Sequence, residues 1–166
     1  MTKIAVYLVI ALVLTTFESA VVNFLPIDFF NPDVGIPFVI YTTFFLGPQA
    51  GLITSVVIGL IQEIVSTSPS GSLLFTKASI FIISVFMRNK IYIDSKYSFS
   101  FVCSGAVLVE ASLFLALSYL TRGESRDMFN VAFYSIPNAI FTGLLSLFLF
   151  SLIGFLNVKY FNKPQQ

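Results

Sequence analysis

The sequence contains no histidine and a single cysteine, and Asp, Glu, Lys and Arg together make up only 10% of its 166 residues. Each shortage closes a route to function. Without histidine the chain cannot supply a Ser-His or Cys-His catalytic pair or an imidazole metal ligand. Cys103 has no second thiol to pair with, so a disulfide framework and a thiolate metal site are both excluded, and its apolar surroundings mark it as a small packing residue. A net charge of +1 with no long basic run leaves no electrostatic footprint for nucleic acid. Nothing in the sequence points to a cofactor.

What fills the chain is hydrocarbon. Hydrophobic residues account for 57% of it and the mean hydropathy is +0.92, well above a water-soluble domain. A spanning helix needs ~20 apolar residues to cross ~30 Å of hydrocarbon, so this length accommodates roughly six. Hydropathy and Pro/Gly punctuation predict spans near 4–25, 34–47, 49–67, 72–88, 98–120 and 129–158 in a single membrane domain covering 1–166. The second stretch is short, from about Pro37 to Gly47-Pro48, and reads as a tilted or incomplete crossing. The connections carry turn chemistry: Asn31-Pro32-Asp33, Gly47-Pro48 and Ser68-Pro69-Ser70-Gly71. Glu18 occupies a position where a cleavable leader needs a small residue, so the first stretch reads as an uncleaved span. In the sixth, Pro137-Asn138 predicts a kink.

Short basic loops stay in the cytoplasm. Lys3, the group Arg88, Lys90 and Lys96, and the pair Lys159 and Lys163 fall on one side of a six-span arrangement, which places both termini in the cytoplasm. Asp28 and Asp33 fall opposite, as do Arg122 and Arg126, there mixed with Glu124 and Asp127.

Four ionisable residues lie within the predicted spans: Glu18, Glu63, Lys77 and Glu110. A charge at the centre of a span costs roughly 2.5–3.5 kcal/mol on insertion scales, so each needs compensation. At ~1.5 Å per residue all four fall at similar depth, in the half away from the cytoplasm, and one cation can meet three carboxyls. The structural reading pairs Lys77 with Glu63 across the Ser66–Ser72 hairpin; the functional one makes the same residues a ligand pocket or proton path; a third has the glutamates meet a partner's helix or the interface. In the third span Gly51, Ser55 and Gly59 recur every four residues ahead of Glu63, a stripe that permits close approach by a helix of this chain or of a partner. In the first loop, Phe29 and Phe30 are expensive to leave in water and read as a partner contact or an insertion into the membrane interface.

Taken in order, Pro32-Asp33 before an apolar span, Gly47 and Gly51 at the next turn, and Gly59-Leu60-Ile61-Gln62-Glu63 followed by Ser70-Gly71-Ser72 resemble the MreD family of rod shape-determining membrane proteins. Glu63 stands where that family usually has aspartate. The resemblance implies a non-enzymatic inner-membrane scaffold of the cell-elongation machinery. Its implied partners are MreC, the peptidoglycan synthase pair of RodA and its class B transpeptidase, and the MreB filament on the cytoplasmic side. A second family, the substrate-binding subunits of energy-coupling-factor vitamin transporters, is similar in size and in its compact bundle of six short-looped helices. Its Ala-x-x-x-Ala signature is missing here, since Ala5, Ala11 and Ala20 do not fall at that spacing. An intramembrane aspartyl peptidase needs two facing aspartates, whereas Asp28 and Asp33 share one loop.

Overall fold

A computed structural model describes residues 9–16, 18, 33–65, 71–122 and 128–156. Within them the chain is helical, with no strand. A first helix, α1, covers 9–16; α2 is Gly35–Tyr41, continued by a π-helical turn Thr42–Leu46; α3 is Pro48–Val65, α4 Ser72–Arg88, α5 Lys96–Arg122 and α6 Met128–Leu156. The windows Pro48–Val65, Lys96–Leu117 and Phe133–Phe155 are long and apolar enough to cross a membrane. The 17 residues of α4 are fewer and include Lys77 and Arg88.

Local chemistry sets the helix ends. Asp33 Oδ1 accepts from the amides of Gly35 at 2.7 Å and Ile36 at 3.2 Å, satisfying free donors in the first turn of α2. The π turn closes with Gly47 N donating to Thr42 O at 3.0 Å, and Gly47, at φ 114°, adopts a backbone that side chains disfavour. Pro48 then opens α3, where its missing N–H costs nothing. Ser95 starts α5, its Oγ accepting from Ser98 N at 3.2 Å.

Beside its apolar core the chain exposes many large apolar side chains. Among the large exposed side chains are Leu52 and Leu60 on α3, Phe86 on α4, Phe101 on α5, and Phe148 and Phe155 on α6, a surface that suits lipid and not water. Several hydroxyls are turned inward. Thr42, Thr43 and Thr54 are buried and donate hydrogen bonds to the carbonyls of Phe38, Val39 and Ala50 at 2.6–2.8 Å. On α1 the buried positions Ala11 and Thr15 lie one turn apart, with Val9 and Val13 facing out.

The second element departs most from an ordinary span. Every residue from Val34 to Thr43 is buried, so α2 is enclosed on all sides, as its all-round apolar sequence requires. Its twelve residues with the π turn reach about 18 Å, short of the ~30 Å hydrocarbon core. One end is anchored by aromatics: Tyr41 stacks on Phe45 with centroids 4.8 Å apart, and Phe150 of α6 lies 5.1 Å from Phe99 of α5 and 6.2 Å from Tyr41. The sixth helix runs on through Pro137. Phe29 and Phe30 lie outside the described residues.

Candidate functional site

Two glycines set the distance between the helices around the site. A Cβ at Gly59 of α3 would lie 3.0 Å from Leu74 Cα and 3.5 Å from Lys77 Cβ, so the α3 and α4 backbones approach closely here. A Cβ at Gly51 would fall on Thr43 Oγ1 and 3.0 Å from Thr43 Cα, which seats α3 on the π turn. Ser55 between them is fully buried and donates to Leu52 O at 2.9 Å. The Gly51, Ser55 and Gly59 stripe is thus covered by helices of the same chain.

That approach carries the fully buried side chain of Lys77 into the middle of the bundle, where Nζ donates to Asp33 Oδ2 and, at 2.5 Å, to Glu110 Oε1. Asp33 joins four elements. Its carboxylate also accepts from Gln62 Nε2 of α3 at 3.3 Å, and its amide donates to Thr142 Oγ1 of α6 at 3.0 Å. Glu110 takes a second, long bond of 3.4 Å from Thr76 Oγ1. Glu18 arrives beside them, its Oε2 accepting from Val34 N at 3.1 Å. Glu18, Lys77 and Glu110 are therefore brought together, with Asp33 as the hub.

Glu63 is not part of this centre, and the expected Lys77–Glu63 pair does not form. The Glu63 carboxylate accepts from the amides of Gly71 and, at 3.2 Å, Leu74. Sitting at the end of α3, it satisfies the free donors that begin α4 and meets the positive end of that helix dipole. Lys77, more than a turn further along, points inward instead.

Asp33, which hydropathy places in the loop before α2, is the functional residue that the sequence does not single out. Depth explains why. Lys77 lies about 8 Å from the start of α4, whereas Glu110 lies about 18 Å from the end of α5 and Thr142 about 21 Å from the start of α6. The longer helices overhang the α3–α4 turn by roughly 10 Å, and α2 begins inside the bundle. Among the described residues no group of His, Cys, Asp and Glu has a metal-holding arrangement. A cation with two bound carboxylates, in a setting where unpaired charge is costly, chiefly locks α2, α4 and α5 together.

The model of the family described as rod shape-determining protein MreD matches residues 1–159. The chain belongs to the MreD family. No curated protein and no solved structure matches it. The match makes this a membrane protein of the rod shape-determining system and spans every residue of the ion centre. Asp33 and the Gly59-to-Glu63 segment, both among the residues that carry the resemblance to MreD, meet in the structure through the Asp33–Gln62 bond. Glu63 supplies the carboxylate that caps α4.

Proposed function

We propose that this chain is a non-enzymatic, multi-pass scaffold of the bacterial inner membrane that binds MreC and links it to RodA and its class B transpeptidase, with MreB on the cytoplasmic side. The reading rests on the family match across residues 1–159. The sequence supports it: no connection from α2 to α6 is longer than the seven residues between Arg88 and Lys96, so partners are met on helix faces and loop rims. Both termini and the turn carrying Arg88, Lys90 and Lys96 face the cytoplasm under the positive-inside rule. Phe29 and Phe30 are contact candidates on the opposite side.

Affinity capture of the full chain from native membranes, read by mass spectrometry, tests the assignment. Recovery of MreC and the synthase pair is the expected result. Recovery of an ATPase with its membrane coupler would transfer the chain to the energy-coupling-factor transporters. Reporter fusions at the two ends check the topology, and opposite compartments would overturn it.

A further inference from the structure

Lys77 is the single basic residue between Lys3 and Arg88, and neither lysine nor arginine occurs between Lys96 and Arg122 or between Arg126 and Lys159. One ammonium therefore answers every carboxyl that meets in the middle of the bundle. Three arrive there: Glu18, itself helical, Asp33 from the start of α2 and Glu110 from α5. Gln62 of α3 and Thr142 of α6 are the neutral groups bonded to Asp33. With all of them ionised the centre would carry two uncompensated negative charges within an apolar bundle, where even a paired charge is expensive.

The donors are unequally shared. Asp33 takes hydrogen bonds from the Lys77 ammonium, the Gln62 amide and two backbone N–H groups, a full shell for a carboxylate. Glu110 has the ammonium and the long Thr76 contact, and Glu18 has the Val34 amide. A second observation points the same way. Gln62 Oε1, on the amide that holds Asp33, is shielded from solvent and has no hydrogen-bond donor among the described residues. The centre is short of positive charge, and a proton on a carboxylate supplies it. The Asp33 and Glu110 side chains retain 19% and 13% exposure, while Lys77 has none.

We propose that this centre is a proton-binding site, in which the glutamates Glu110 and Glu18 hold exchangeable protons while Lys77 and Asp33 form the standing ion pair. The site is independent of the elongation assignment and is tested without partners. The full chain, purified in an alkyl maltoside that has no carbonyl of its own, is examined by infrared spectroscopy. The expected result is a carboxylic-acid C=O band at neutral pH that shifts in D₂O, weakens at alkaline pH, and is lost in the Glu18→Gln, Glu110→Gln double variant. Absence of an acid band in the unmodified chain from mildly acidic to neutral pH would overturn the proposal, and this arm needs no variant to fold. Persistence of the band in the double variant would also overturn it, as would a thermal stabilisation specific to Na⁺ over K⁺ without an acid band, which would make the missing charge a metal ion.

Discussion

Helices α3 and α4 close around Gly59, and helices α5 and α6 close around Gly143, yet the two pairs are held by different chemistry. At Gly59 the neighbour is backbone, Leu74 Cα, and the seam leads to Lys77 and its carboxylates. At Gly143 a Cβ would fall on the hydroxyl of Ser104 and 3.3 Å from that of Ser100. The seam there is neutral: Ser100 and Ser146 both donate to Gly143 O at 2.6 Å. The first seam is rigid and charged, the second adjustable and uncharged. Small residues serve both, since close approach in lipid depends on packing and local hydrogen bonds instead of a hydrophobic drive.

The largest effect should come from removing the cation. Lys77→Met leaves Asp33 and Glu110 buried without their partner and is expected to destabilise the chain by about 3–5 kcal/mol, read as a fall in the thermal midpoint of the detergent-purified protein. Adding Glu110→Gln should restore part of the loss, whereas strictly additive losses would mean that the two groups are not coupled. A comparable loss from any single change at the α5–α6 seam would erase the contrast between the pairs.

Alanine at the two glycines sharpens it further. Gly59→Ala has to push α4 aside, at about 1–3 kcal/mol. Gly143→Ala asks Ser104 to rotate its hydroxyl away while the helix gains up to about 1 kcal/mol in propensity, so its midpoint should stay close to that of the parent chain. Equal losses at both would show that the serine is as fixed as the backbone. Glu63→Gln should cost about 0.3–1 kcal/mol, the usual worth of a carboxylate at a helix start, and a much larger loss would place Glu63 back among the groups on which the ion centre depends. Smallest of all, Ser100→Ala removes one hydroxyl bond worth about 0.6 kcal/mol inside a membrane, at the edge of what thermal unfolding resolves.

Hydropathy made the helical fold legible, because α3, α5 and α6 need long apolar runs to meet lipid and those runs stand out in any window. Arithmetic on depth put Glu18, Lys77 and Glu110 in one layer, since rise per residue is a property of the helix and not of its neighbours. Asp33 escaped the same arithmetic. Asn31-Pro32-Asp33 has the chemistry of a solvated turn, and nothing local says that the following helix starts deep inside a bundle whose other members overhang it. Hydropathy also cannot tell a side chain that faces lipid from one that faces protein, so the complete enclosure of α2 was invisible. Depth and charge leave a Lys77–Glu63 pair among the readings of the sequence, but the free amides at the start of α4 take the Glu63 carboxylate.

The short, wholly enclosed α2 constrains how the protein is made. A segment spanning about 18 Å is too brief to halt in the bilayer alone as it leaves the translocation channel, and its Asp33 end would carry an unmatched carboxylate into lipid. Its seat is formed by α3 to α6, all of which are synthesised after it. Biogenesis therefore ends with an earlier part of the chain being received by a later one, and any lesion that delays α4 leaves α2 waiting at the membrane without its lysine.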